Sequence, residues 1–219
     1  MGISRVTIVG ALAVLCLGAV PAPTDPPPVT SLACQVGDAW TYHFVSTAAT
    51  GKALNGDETF TRADCGERRV LHPSGGLVKA DVVSDADGNV YSGYSVFNGT
   101  SERFKKPLPY ARLPLAPGSA WSSALDVDMG GGSGFTGSGH WHLVDWETVT
   151  VPAGTYLCLR QELKMDLQFF VMNDTLDGTF QETSWYCPDV RAEVKAISKD
   201  SFGDSATREL TAVTLKQPG

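Results

Sequence analysis

The stretch Tyr156-Leu-Cys-Leu-Arg-Gln-Glu-Leu-Lys-Met-Asp-Leu-Gln-Phe169 decides how the rest of the chain is read. Leu157, Leu159, Leu163, Met165, Leu167 and Phe169 occupy alternate positions, with Arg160, Glu162, Lys164, Asp166 and Gln168 between them. Successive side chains on a strand point to opposite faces, so this period of two predicts a long strand with one dry and one wet face. Such a strand belongs in an antiparallel sheet packed on one side. The stretch just before it, Glu147-Thr-Val-Thr-Val-Pro-Ala-Gly154, supplies a partner strand and a Pro152-Ala-Gly154 turn. Val149 and Val151 then join Leu157 and Leu159 on the apolar side, and Cys158 points to the opposite, outer face.

Working outward, no segment sustains a helical period. Alternating runs recur at Trp40–Ser46, Leu77–Ser84, Asn89–Phe97, Gly139–Val151, Thr179–Tyr186, Val190–Lys199 and Arg208–Lys216. Asp87-Gly-Asn89, Asn98-Gly99 and Asp177-Gly178 are hairpin-turn signals. The 23 glycines, 13 prolines and 42% hydrophobic residues fit a turn-rich β protein with a real core. The expected fold is therefore mostly β with few or no helices: a curved antiparallel sheet, as an open half-barrel or a two-lobed, β-sandwich-like arrangement. Gly37-Asp-Ala-Trp40 and Gly118-Ser-Ala-Trp121 echo one another, which suggests a weak pseudo-repeat of residues 36–110 and 113–216.

The N-terminus reads as a signal peptide over residues 1–22: one arginine, an apolar run from Val6 to Val20, then small residues. That run is short for a membrane span of about 20 residues. Leu15 stands where a lipoprotein signal wants a small residue, which argues against a lipid anchor at Cys16. Residues 23–33 form a stiff Pro-rich leader, and residues 34–219 a single β-rich domain. The expected location is secreted or periplasmic, with no integral membrane segment in the mature form.

Removing the signal moves the net charge from −7 to −8, which argues against nucleic acid as a partner. Cys34, Cys65, Cys158 and Cys187 remain, an even count that reads as two disulfides in an exported protein. Three pairings are open; the local one, Cys34–Cys65 with Cys158–Cys187, is favoured because each bridge then joins neighbouring strands. Each would close a loop of roughly 30 residues and contribute ~3 kcal/mol by restricting the unfolded chain.

Chemical motifs are sparse. Gly130-Gly-Gly-Ser-Gly-Phe-Thr-Gly-Ser-Gly139 contains a G-x-G-x-x-G at Gly132, Gly134 and Gly137, but a β-like run follows it where a dinucleotide fold needs a helix. It reads as a flexible glycine loop between strands. His140 and His142, two apart on a strand, share a face and could hold a metal if a third ligand arrived from elsewhere. Ser84-Asp-Ala-Asp-Gly-Asn89 lacks the later ligands of a calcium loop and reads as a hairpin turn. No G-x-S-x-G or glycosidase-like carboxylate pair is apparent, so no catalytic residue and no cofactor is assigned. Asn98-Gly-Thr100 and Asn173-Asp-Thr175 are glycosylation sequons, meaningful only in a eukaryotic secretory route.

Four stretches together resemble the TapB-type group of exported bacterial proteins of unknown function. Val36-Gly-Asp-Ala-Trp-Thr-Tyr42 resembles an opening "VGDxWxY" strand, and Leu113-Pro-Leu-Ala-Pro-Gly-Ser-Ala-Trp121 a "PL.xGxxW" element. Thr150-Val-Pro-Ala-Gly-Thr-Tyr-Leu-Cys-Leu-Arg160 is similar to a "TVPAGTF" hairpin, and Trp185-Tyr-Cys-Pro-Asp-Val-Arg-Ala-Glu-Val-Lys195 to a "WYAPGVGxVK" strand pair. The resemblance spans residue 36 to about 215. It implies a strongly curved antiparallel sheet, akin to the open half-barrels of lipoprotein carriers, and carries over no catalytic residues. Arg191 replaces the glycine usual after the WY strand. Cys158 and Cys187 stand where small residues are usual, which implies a disulfide between hairpin and WY strand.

The functional expectation is a non-enzymatic exported module that binds an apolar small molecule or an envelope protein in a concave sheet. Trp141, Trp146, Trp185 and Tyr186 are its candidate ligand surface. The alternatives are a structural or assembly protein of the cell envelope, and a metal-dependent hydrolase centred on His140 and His142.

Overall fold

The computed structural model describes residues 26–47, 53–171 and 174–217; residues 1–22, expected to be a signal peptide and including Cys16, and Asn173 of the second sequon lie outside them. The chain forms twelve strands in sequence order: β1 (Ala39–Thr47), β2 (Asn55–Cys65), β3 (Arg69–Pro73), β4 (Val82–Ser84), β5 (Asn89–Tyr94), β6 (Ser101–Pro109), β7 (Ala120–Gly130), β8 (Ser133–Val151), β9 (Gly154–Val171), β10 (Asp174–Cys187), β11 (Ala192–Asp200) and β12 (Ser205–Thr214). Each pairs antiparallel with its sequence neighbour, and β1 also pairs with β12 from Ala39–Thr214 to Thr47–Ser205. That last pairing corrects the expected open half-barrel or two-lobed sandwich: the sheet is a closed barrel. Closure satisfies the backbone groups that an open sheet would leave at its two edges. Among the described residues the helical content is one 3-10 turn, Pro188–Val190.

The deciding stretch behaves as its alternation predicts. β8 and β9 pair from Ser133–Val171 down to Val151–Gly154, and Pro152-Ala153 make the turn. Leu159, Leu163 and Leu167 are buried, while Lys164, Asp166 and Gln168 are exposed. Near the turn the simple alternation fails. A bulge between Leu143 and Trp146 shifts the register, and Ala153 donates its amide to the Leu210 carbonyl on β12 at 3.1 Å. The hairpin end thereby lies against the barrel, and its nominally outer face is covered. Cys158, expected on the outside, is 0% exposed among Trp40, Val151, Val190, Val194 and Leu210. Its bridge to Cys187 has a Cα–Cα distance of 4.2 Å, and Cys34 is bonded to Cys65 across 5.8 Å.

Other segments depart from their sequence reading for identifiable reasons. The glycine run is not a loop: Gly130 ends β7, Gly131 and Gly132 make the turn, the three having φ +80°, +63° and +79°, and Ser133 onward is strand β8. A Cβ at Gly134 would come 2.2 Å from the Val127 carbonyl oxygen, and one at Gly137 2.0 Å from that of Asp166. The glycines let neighbouring backbones approach closely within the barrel wall. Asp177-Gly178 is likewise inside β10, with Gly178 opposite Leu167 and its missing Cβ occupied by the Phe202 ring. Of the expected strand Leu77–Ser84, only Val82–Ser84 is strand. The Glu58 carboxylate, itself 0% exposed, accepts the amides of Gly75, Leu77 (2.7 Å) and Val78 (2.9 Å), so a side chain satisfies this backbone in place of a ladder. Asp85 accepts the amides of Asp87 and Asn89 and closes the β4–β5 hairpin turn.

The core falls into two clusters, one around Trp40, Phe44, Phe60 and Leu210, the other around Trp121, Trp141, Leu143 and Leu163. Trp40 and Trp121 stand six strands apart in a ring of twelve, on opposite walls. Each follows a positive-φ glycine, Gly37 or Gly118, and each donates its indole N–H to a carbonyl at 2.7 Å, of Val190 and Pro109 respectively. The described part of the segment read as a Pro-rich leader is laid on the barrel: Val29 bridges to Leu115, and Leu32 packs on the second cluster.

Candidate functional site

Between the two clusters the barrel holds a cavity of about 380 Å³, partly open to solvent and lined by side chains from both. Its wall is mostly apolar, including Phe60, Leu71, Val90, Phe104, Leu163 and Met165. Into this wall the strands also aim charged residues, each two positions from an inward-facing apolar one: Arg62 after Phe60, Glu182 after Phe180, Glu102 before Phe104. These charges sort into two groups.

The first group is a closed hydrogen-bonded knot. Arg208 on β12 pairs with Glu193 on β11 and donates to the Tyr94 hydroxyl at 2.9 Å. The Tyr110 hydroxyl reaches Glu182 at 2.8 Å and Glu193 at 3.1 Å, and Ser198 donates to Glu182 at 2.8 Å. The Tyr42 hydroxyl donates to the Glu193 carbonyl at 2.8 Å. Burial, reinforced by the Glu193 charge, raises the Glu182 carboxyl above its ordinary range. Burial pulls Arg208 the other way, but Tyr94, Glu193 and Tyr42 around it hold its pKa well above the ordinary value. Glu102 faces the cavity apart from this knot, and burial alone pushes it up to about 7.

The second group is unbalanced. Arg62 and Arg69 both line the cavity, and among the described residues neither has a carboxylate within ion-pair distance. Their Nε atoms are buried without a hydrogen-bond partner. Arg69 donates one hydrogen bond, to the Leu32 carbonyl of the leader at 2.7 Å, and Arg62 lies over the Trp40 ring at 5.8 Å. Burial first and the Arg69 charge second lower Arg62 to about 10. Tyr186 stands beside them: burial raises its phenol, and the charges of Arg69, Arg191 and Arg62 oppose that rise. Arg191 is already engaged, pairing with the 0% exposed Asp38 at 2.8 Å.

Of the four aromatic residues expected to form a ligand surface, Tyr186 lines this cavity. Trp141 is 1% exposed, stacked on Trp121 with ring centroids 6.0 Å apart. Trp146 packs against the same cluster, and Trp185 donates to Glu147 at 3.0 Å. His140 and His142 share an exposed face of β8; His140 lies 2.7 Å from the Ser122 hydroxyl, and their neighbours across β9 are Lys164 and Glu162. Among the described residues no three His, Cys, Asp or Glu side chains gather as a metal site. Arg62, Arg69, Glu102, Glu182, Glu193 and Arg208 were not singled out by sequence reasoning. The available signal was a charge standing in the dry phase of an alternating strand, as Arg208 does between Ala206 and Leu210.

No protein-family model matches the chain, and no curated protein does. Solved structures do resemble it. A protein of Parabacteroides distasonis assigned as a lipoprotein superposes with TM-score 0.50 at 12% identity, covering 86% of this chain and 100% of its own. An exported protein of Bacteroides fragilis, described as having a YmcC-like fold, gives 0.47 at 15% identity over 85% and 100%. The hypothetical lipoprotein YmcC of Escherichia coli gives 0.39 at 11% over 82% and 85%. At these identities the first likeness speaks for the fold alone. The two disulfides agree with a location outside the cytoplasm. No helix of the described residues is long and apolar enough to cross a membrane, which leaves strand-based spanning unaddressed.

Proposed function

We propose that this chain is an exported, non-enzymatic carrier that holds an apolar-bodied small molecule inside its barrel. The observation that carries the reading is the interior cavity of about 380 Å³ with its predominantly apolar wall. That volume lies in the range of small-molecule sites, which bury most of a ligand against apolar side chains with a few placed polar groups. Eight-stranded carrier barrels with filled or single-ligand interiors set the scale, and a ring of twelve leaves more interior room. An envelope-assembly role through free strand edges has less support, since every strand from β1 to β12 has a neighbour on both sides.

The test is a titration of delipidated protein with the neutral dye N-phenyl-1-naphthylamine, alongside Leu163→Trp, which fills the cavity. Saturable binding by the native protein and at least a tenfold loss in the variant, with its melting curve retained, is the expected result. No saturable binding, or equal binding by both proteins, would overturn the carrier reading.

A further inference from the structure

We infer that Arg62, Arg69 and Tyr186 form a subsite for the anionic head, a carboxylate or a phosphate, of an amphiphile whose tail lies along the apolar wall. This deepens the carrier reading and rests on it.

The two arginines are neighbours by register. Arg62 on β2 pairs with Leu71 on β3, and Arg69 stands two residues from Leu71 on the same strand, so the two guanidinium groups project from adjacent inward positions. Both residues are half-buried. Partly withdrawing one cation from water without an anion is unfavourable, and withdrawing two together is worse, because each disfavours the charge of the other. The same barrel balances its other interior arginines: Arg191 has Asp38, and Arg208 has Glu193. Only at Arg62 and Arg69, among the described cavity residues, does a cation lack a carboxylate in ion-pair contact; the carboxylate that acts on Arg62, that of Asp38, is already paired with Arg191. A guanidinium fork suits the paired oxygens of a carboxylate or phosphate. The Tyr186 hydroxyl lies in the field of both and makes no hydrogen bond of its own within the described protein, so it is a third donor.

The surroundings fix the orientation of the ligand. Leu71 adjoins Arg62 in register and is itself opposite Val82, so the apolar wall begins at the arginines. The remaining polar part of the cavity is the knot of Tyr110, Glu182, Glu193 and Arg208, where the cation is paired with a carboxylate although Arg208 Nε also lacks a partner, and which is rich in carboxyl oxygen. An anionic head is disfavoured there and favoured at Arg62 and Arg69.

The experiment compares dodecanoate, dodecyl phosphate and dodecanol as competitors of N-phenyl-1-naphthylamine, in the native full chain and in Arg62→Gln, Arg69→Gln, the double variant and Arg62→Lys. The native protein should prefer at least one anionic chain over dodecanol by tenfold or more. Each Gln variant should lose most of that preference, the double variant all of it, and Arg62→Lys should restore part. Whichever of carboxylate or phosphate binds more tightly names the head group. Dodecanol affinity should be unchanged and melting temperatures unchanged or higher, since like-charge repulsion is relieved. Equal affinity for dodecanol and both anions in the native protein would overturn the subsite and leave the carrier standing. Parallel loss of dodecanol binding in the Gln variants would show a structural effect and overturn it too. If none of the three chains competes and the dye does not bind, the carrier reading fails first.

Discussion

At the scale of single residues, Arg191 shows how a local cost is offset across the molecule. It is the one non-glycine among the described residues with positive φ, at 58°, where the resemblance places a glycine. Left-handed backbone costs an ordinary residue about 1–2 kcal/mol. The guanidinium meets Asp38, which is buried at the start of β1 and also accepts the Lys216 amide at 2.7 Å. Arg191→Gly relieves the backbone but takes away the ion-pair partner of the buried Asp38, a loss of about 3–5 kcal/mol. We expect a net destabilisation of roughly 2–3 kcal/mol in chemical denaturation, with Arg191→Ala about 1 kcal/mol worse; equal losses would show that backbone conformation is not limiting. Glu102 makes a pH prediction. Its folded carboxyl titrates near 7 against 4.5 for the free group, so the folded state retains a proton that the unfolded chain releases. Stability from this group therefore falls as pH rises from about 4.5 to about 7 and is level outside that window. Glu102→Gln should leave the melting temperature unchanged at pH 4 and raise it by several degrees at pH 8. Parallel curves for both proteins would contradict the assignment.

At the scale of elements, polar side chains decide where strands begin. Glu58 holds three amides of the segment after β3, and removing it strands buried N–H groups. Glu58→Ala should cost about 3 kcal/mol or more and admit protease between Ser74 and Asp81 before global unfolding; retained stability and protection would show that water replaces the carboxylate. This element also marks the limit of what the sequence discloses. Residues 77–84 alternate as a strand should, and nothing local reveals that a carboxylate some 20 positions earlier takes their amides. β6 is hidden for a different reason: Lys105, Lys106, Pro107 and Pro109 obscure its period, and it joins β7 only through Arg103–Asp128 and Phe104–Val127. The glycines of β8 read as a loop because close backbone approach, unlike apolar alternation, has no signature in the chain itself. Where a wet and a dry face coexist, as in β1 and in β9 from Leu159 onward, the strand is legible; nearer the turn it is not, since Cys158 is buried and Leu157, placed on the apolar side, is exposed.

At the scale of the whole molecule, the decisive feature is the pairing of β1 with β12, which joins residues some 170 positions apart. Alternation gives faces but not neighbours, so a closed barrel and an open one read alike in the sequence. Closure turns the dry face of a curved sheet into an interior, and it brings Arg62, Arg69 and Tyr186 together from β2, β3 and β10. Neither the cavity nor its charge imbalance is visible before the ring is closed. The central claim is that this interior, and not the outer surface, receives the ligand. Methyl NMR of labelled protein during titration with dodecanoate addresses it directly. Shifts at Met165, Leu163 and Leu71, which line the cavity, with Leu176 and Ile197 on the exterior unmoved, are the predicted result. Shifts confined to Leu176 and Ile197, or no shifts at saturating dodecanoate, would contradict it.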